Sequence, residues 1–274
     1  MQICCLGIKK NNRLAGQPLA LLACLIVNCI NFNFMWSICK KELNQFFSNL
    51  TGYIAIILFL LINGIFLFLL NDSSIFEYGY ASLDKFFELA PWVLLFLIPA
   101  ITMRSLSDEF KAGTFEILQT RPLTSWQIVL GKYFSVLVII LFVIIPTLIY
   151  VVTIKALSAS GSIDSGGITG SYLGLLLLAA VFAAISICCS SFTNNAVVSF
   201  LISAFACLVL YFGFNAFSKL PLLQGTADYY VEMFGIDFHY RSISRGVLDS
   251  RDLVYFISMI FLFLLITVKN LRKK

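Results

Sequence analysis

Apolar positions along this chain fall in long unbroken blocks rather than in short alternating or helical periods. A helix needs about 20 residues to cross a hydrocarbon core of about 30 Å. Six blocks reach or approach that length: Tyr53–Leu70, Phe86–Met103, Tyr133–Ile154, Ser171–Cys189, Ala196–Phe217 and Leu253–Val268. The second holds Pro91 and Pro99, and the third holds Pro146. Proline inside a spanning helix removes a backbone donor and bends the helix, which neighbouring helices accommodate. The last block is short, so its ends are expected to reach into the interface.

Two segments break the apolar pattern. In Ser37–Leu50, the residues Leu43, Phe46, Phe47 and Leu50 recur at helical spacing, opposite Lys40, Lys41, Asn44, Gln45 and Ser48. Such a pattern predicts a helix lying in the membrane surface, followed by a turn at Thr51-Gly52 into the first span. Between the second and third blocks lies the charged segment Met103–Leu123. Its Leu106, Phe110, Ile117 and Leu118 share one helical face with Thr114, while Asp108, Glu109, Lys111 and Glu116 lie beside or opposite it. The spacing predicts a helix over Ser105–Gln119, stopped at Arg121-Pro122 because the residue before proline avoids the helical region. Thr124-Ser-Trp-Gln127 then reads as a capping box that starts the next helix, with Gly131 and Lys132 near the membrane surface.

Composition agrees with a bilayer protein: 60% of residues are hydrophobic, 12% are charged, and 27 are Phe. A soluble domain of this size has too little interior for so much apolar surface. The formal net charge of +5 is not gathered into a stripe, so nucleic acid is not an expected partner. Most basic residues instead flank the apolar blocks. Lys40, Lys41, Arg104, Lys111, Arg121, Lys132 and the Lys269–Lys274 tail fall on one side. Lys85, Lys155, Lys219, Arg241, Arg245 and Arg251 fall on the other, where acids dilute them. The bias places the first side in the cytoplasm, with both ends of residues 35–274. The eight cysteines form no C-x-x-C pair and read as small buried residues or reduced thiols.

Residues 1–34 do not fit this count. Pro18–Trp36 is apolar but carries Asn28, Asn31 and Asn33, which are costly in lipid, and Leu21-Leu-Ala-Cys24 matches a lipoprotein cleavage box. Reading that box literally inverts every later span. A coherent protein begins at Met35, so residues 1–34 are expected to be an extension or a misassigned start.

Several motifs resemble the ABC-2 type transporter permeases: Lys41-Glu-Leu-x-x-Phe-Phe, Pro99-Ala-Ile-Thr-Met-Arg104, Asp108-Glu-x-Lys-x-Gly-Thr-x-Glu-x-Leu118, Arg121-Pro and Gln127-Ile-Val-Leu-Gly-Lys132. Leu89-Ala-Pro-Trp-Val-x-Leu-Phe-Leu-Ile-Pro99 and Ser244-Arg-Gly-Val-x-Asp-x-Arg-Asp-Leu253 narrow the resemblance to the gliding-motility-associated ABC transporter permease subunit of Bacteroidota. The resemblance covers Met35–Val268. It implies an all-α integral membrane protein of the six-transmembrane-helix, type V exporter-like kind, with residues 35–274 as one permease domain in the bacterial cytoplasmic (inner) membrane. It also implies an N-terminal interfacial helix carrying Lys41, Glu42, Phe46 and Phe47. A cytoplasmic coupling helix would enter a groove of a separate ATPase subunit through Asp108, Glu109, Gly113, Glu116, Leu118, Arg121 and Pro122. A re-entrant outer loop with Arg245, Asp249, Arg251 and Asp252 would cap the transport path. ATP and Mg would sit on the partner, and this chain would hold no cofactor.

The resemblance further implies pairing with a second permease subunit, as homo- or heterodimer. Gly170/Gly174, Ala179/Ala183 and Ala180/Ala184 give the fourth block small-residue faces suited to such packing. Membrane lipid is the other expected contact.

Catalytic signatures are missing from the sequence. No G-x-x-x-x-G-K-[ST], G-x-S-x-G or H-E-x-x-H occurs, and His239 with Asp237 lacks a third metal ligand. The blocks hold almost no ionisable side chain, whereas an ion-driven transporter keeps one at mid-membrane. Energy from outside the polypeptide is therefore the leading expectation. Two other readings remain open at this level: an integral-membrane lipid-modifying enzyme working through Arg241–Asp252, and a non-transporting membrane anchor for an ATPase.

Overall fold

The computed structural model describes residues 35–68, 83–115, 124–157, 165–219, 228–246 and 249–273, and among them there are helices and turns but no strand. Residues 1–34 and the start expected there lie outside the described residues. Five helices are long and apolar enough to cross a membrane, and a bent pair adds a sixth if it is taken as one span. No single sequence pattern sets their ends; caps and glycines do.

Helix α1 (Met35–Ser48) and the helix that follows meet at a bend of 72°. The break at Asn49 lets α2 (Leu50–Phe68) set off in a new direction. A side chain at Gly52 would lie 2.7 Å from the carbonyl oxygen of Phe46, so the corner tolerates only glycine without movement. The expected helix and the turn after it are thus present. Leu50, expected on its apolar face, is instead 75% exposed, because the corner moves it into the start of α2.

Helix α3 (Asp84–Thr102) runs through Pro91 and Pro99 unbroken. A turn at Met103 leads directly into α4 (Arg104–Lys111), and Asp84–Lys111 together form a single 28-residue apolar helix. Helix α5 (Ser125–Ile144) begins at the expected capping box: the Gln127 amide donates to Thr124 Oγ1, and the Thr124 amide donates to Gln127 Oε1 at 2.8 Å. Pro146 turns the chain through a tight helical turn (Ile145–Thr147) into α6 (Leu148–Leu157). Helix α7 (Ser165–Phe192) follows, then α8 (Ala196–Leu208), a widened π turn over Val209–Gly213, and α9 (Phe214–Ser218). Two short helices, α10 (Asp228–Met233) and α11 (Ile236–Ile243), precede α12 (Ser250–Leu271). The last block, expected to be short, is a 22-residue helix, because Asp249 caps it before the apolar run and Lys269, Asn270 and the buried Leu271 extend it beyond.

Helix α7 is the hub. It packs against α3, α4, α5, α8, α11 and α12, and it has the largest buried share of any candidate span. The small residues expected to serve pairing between copies are consumed here instead. Ala179, Ala183 and Ala184 are wholly buried inside the chain. A side chain added at Gly170 would come within 2.9 Å of the Gly246 backbone, and one at Gly174 within 2.7 Å of Ile243. Small residues let backbones approach, and in this molecule the approaching backbones belong to the same chain.

The helices α7 and α12 both start at the α11 end of the bundle and finish at the α4 end, where Asn270 donates to the Ser191 carbonyl at 2.8 Å. The long helices alternate in direction, so Met35 and Lys273 share the α4 end.

Candidate functional site

Lysine is almost never fully buried unless it is paired. Lys132, about two turns into α5 and expected near the membrane surface, has no exposed side chain at all. Its position follows from Gly131, where α1 lies so close that an added side chain would meet Ile38 at 3.1 Å and the Met35 carbonyl at 3.2 Å. With α1 clamped there, the Lys132 ammonium is enclosed by three elements. It lies 2.7 Å from Glu42 Oε1 of α1 and 3.0 Å from Glu109 Oε1 of α4, and it also donates to the Ser105 carbonyl. Lys41 completes the cluster by reaching Glu109 Oε1 at 3.2 Å from the exposed side. Two cations and two carboxylates thus bind α1, α4 and α5 into one unit.

Helix α4 is also held from the hub. Ser190, near the end of α7, accepts from the amides of Leu106 and Ser107 at 3.2 Å each and donates to the Met103 carbonyl. These are the amides at a helix start that have no partner inside the helix. The α4 helix therefore buries Leu106 and Ser107 against α7, turns Glu109 toward Lys132, and leaves Lys111 exposed.

The continuous helix expected over Ser105–Gln119 does not form. It stops at Lys111, and Gly113 takes a left-handed φ of 67° with open space around it. Only glycine adopts that conformation readily, and it ends helices for that reason. Thr114 is exposed beyond this stop, rather than lying on the apolar face, while Phe115 folds back to pack edge-on against Phe110. Glu109, expected beside or opposite the apolar face, points inward with 13% exposure. Asp108 lies partly exposed at the rim. Glu116, Leu118, Arg121 and Pro122 lie outside the described residues.

On α1, Phe46 and Phe47 face the spans, and Phe47 packs edge-on against Phe142 of α5 at 5.4 Å. Burial, reinforced by the nearby Glu42 carboxylate, pushes the Cys39 thiol above its usual range.

At the opposite end, α11 docks into the bundle. Tyr240 donates to the Phe87 carbonyl at 2.7 Å, and Ser171 donates to the Ser244 carbonyl at 2.7 Å. Burial, with Asp237 adding to it, holds the Tyr240 phenol far above its ordinary range, so it remains a donor. Asp237 bridges Arg241 at 2.7 Å and accepts from Asn215 at 3.1 Å. His239 is buried, with Nδ1 2.7 Å from Asp252, Nε2 2.9 Å from the Met233 carbonyl, and its ring stacked on Tyr255. Among the four outer residues named from sequence, Asp252 is buried, Asp249 caps α12 through the Arg251 amide, and Arg245 and Arg251 are exposed. Nothing here resembles a catalytic set, and among the described residues no three His, Cys, Asp or Glu side chains are placed to hold a metal.

Sequence reasoning grouped Glu42 with the interfacial helix and Glu109 with the coupling motif, and left Lys132 unassigned. The missed signal was a lysine immediately after a helix-contact glycine inside an apolar helix, a position that demands a carboxylate partner.

Long apolar helices running in alternate directions, with charged helices tied to one end, fit a multi-pass α-helical membrane protein. Residues 36–231 match the family described as ABC-2 family transporter protein, and the chain belongs to that family. It is a membrane permease subunit of an ABC transporter, whose ATPase is a separate partner. A search of curated proteins finds no match to the chain.

Proposed function

We propose that this permease is the membrane half of an exporter in the bacterial inner membrane, with its α4 end in the cytoplasm, and that α4 and the residues after it receive the push of the ATPase. Support for the coupling reading comes from one observation: the α4 carboxylate Glu109 shares the buried Lys132 with α1, so movement of α4 is felt at once by α1 and α5. The excess of lysine and arginine at that end supports the orientation. Asp108, Gly113, Glu116, Leu118, Arg121 and Pro122 would face the ATPase groove, while Arg245 and Arg251 would lie at the outer mouth. Pairing with a second permease subunit would use lipid-exposed faces of the spans, since the small residues of α7 are already committed. A role in gliding rests on the two narrower motifs, around Trp92 and around Asp249.

The test is Glu116→Lys in vesicles reconstituted with the ATPase subunit. A reversed charge fits badly in a complementary groove. Insertion is expected to be normal and stimulated ATPase activity lost; unchanged stimulation overturns the coupling assignment. Labelling of a cysteine placed at Lys111 by an impermeant reagent in sealed cells would overturn the orientation. Unimpaired gliding after deletion of the gene would overturn the motility role.

A further inference from the structure

A cavity of about 210 Å³ opens beneath α1, between it and the helices α2, α3 and α5. Its far wall is apolar, formed by Ala55, Ala100, Ile101, Val136 and Ile139. Its near wall is polar, formed by Gln45, Asn49, Arg104 and Ser105. A second cavity of about 210 Å³ shares Glu42, Gln45, Arg104 and Ser105 with it and extends to Lys41 and Asp108. The order along each helix is consistent: Ala100 lies one turn deeper than Arg104, and Ile139 one turn deeper than Ser135. The space therefore grades from charged to hydrocarbon-like in the direction in which a membrane does.

Two further observations point to a ligand. Ser105 is 9% exposed, and its buried hydroxyl has no hydrogen-bond partner. Buried polar atoms are satisfied in the great majority of cases. In addition, Arg104 and Asp108 stand four residues apart on α4, the spacing at which opposite charges normally pair, yet neither makes an ion pair among the described residues. The remaining charges at the mouth pair with one another: Glu42 and Glu109 with Lys132, and Lys41 with Glu109, whose Oε2 is buried without a partner. What is left over is one cation and one carboxylate, one helical turn apart.

We infer that this cavity binds a single phospholipid with a phosphoethanolamine headgroup, its phosphate on Arg104, its ammonium on Asp108, and one acyl chain against Ala100 and Ile139. The Ser105 hydroxyl, closed off from the cavity as it stands, would turn toward the phosphate for an acceptor. A choline headgroup has no N–H to donate to Asp108, and a glycerol headgroup offers it hydroxyls but no cation. The site shares Asp108 with the coupling reading but needs no ATPase, so lipid retention by the isolated chain tests it separately from ATPase stimulation.

The test uses the delipidated full chain in detergent, with lipid retention measured by native mass spectrometry. Phosphatidylethanolamine, phosphatidylcholine and phosphatidylglycerol with identical chains are compared. A hydrogen bond to a charged group is worth about 1.5–3 kcal/mol, so the ethanolamine lipid is expected to be retained about tenfold better than the others. Arg104→Gln is expected to lower its retention by a similar factor, and Asp108→Asn to bring it level with the choline lipid. Ala100→Leu, which fills the apolar end and leaves the charges intact, is expected to lower retention of all three. Free phosphoethanolamine is expected not to compete. Equal retention of the three lipids, preference for phosphatidylglycerol, competition by the free headgroup, or full binding by the Ala100→Leu chain would each overturn the assignment. Both surface variants, Arg104→Gln and Asp108→Asn, keep the test decisive if Ala100→Leu fails to fold.

Discussion

Lys132 Nζ and Glu42 Oε1 meet at 2.7 Å although 90 residues separate them, and the lysine is wholly enclosed. Removing one partner of such a pair strands a buried charge, which costs about 3–5 kcal/mol. Lys132→Met leaves Glu42 and Glu109 facing each other without a cation, so the purified chain is expected to unfold at a clearly lower temperature. Adding Glu42→Gln and Glu109→Gln to Lys132→Met is expected to recover much of the loss. Thermal unfolding in detergent reads both effects, and an unchanged midpoint in Lys132→Met would refute the pairing.

Gly113 ends α4 in a conformation that costs other residues about 1–2 kcal/mol. Because space around it is open, the strain is purely conformational. Gly113→Val is expected to displace the segment that follows, and stimulated ATPase activity of the reconstituted transporter is expected to fall severalfold. Gly113→Asn, which tolerates the left-handed region, is expected to keep most of it.

The glycines of α7 lead to a prediction about where small residues matter. Gly174→Leu drives a side chain into Ile243, so α11 is expected to detach and the 228–246 segment to become sensitive to protease. Association between copies is expected to be unaffected. Loss of association without loss of protection would restore the pairing role that the sequence pattern implied.

His239 Nδ1 lies 2.7 Å from Asp252 Oδ1 within the buried outer cluster, and each is the other's side-chain partner. Replacing His239 with Ala leaves the carboxylate alone, again at about 3–5 kcal/mol. His239→Ala with Asp252→Ala is expected to be more stable than His239→Ala by itself, as measured by thermal unfolding.

Cys39 provides a pH readout. Burial and Glu42 both disfavour its thiolate, so its folded-state titration lies above that of a free thiol. At neutral pH it is expected to alkylate far more slowly than a model thiol, with the rate still rising above pH 9. Peptide mass spectrometry after timed labelling checks this, and rapid labelling at pH 7 would contradict it.

Much of the fold could be read from apolar block lengths, because hydrocarbon thickness imposes them regardless of packing. The corner at Gly52 and the capping box at Thr124 were equally legible, since each depends on neighbours in sequence. What escaped was everything decided by distant contacts. Gly113 looks like any motif glycine until its φ is known. Lys132 reads as a flanking lysine until α1 is seen lying on Gly131. Small residues at four-residue spacing say that something packs closely, but not whether it is another chain or Gly246 and Ile243. The π turn at Val209–Gly213, which brings Tyr211 beside Phe182 and Asn215 to Asp237, has no local signature at all.

Joined through the turn at Met103, α3 and α4 make one rod of 28 residues, roughly 42 Å long at the helical rise of 1.5 Å per residue. Near its far end, the Phe87 carbonyl is gripped by Tyr240. If the ATPase pushes on α4, as proposed, a displacement at Lys111 would reach the Tyr240 contact along one nearly continuous helix. On that proposal, movements at the two ends of the bundle would be one displacement, with no relay of intermediate side chains required.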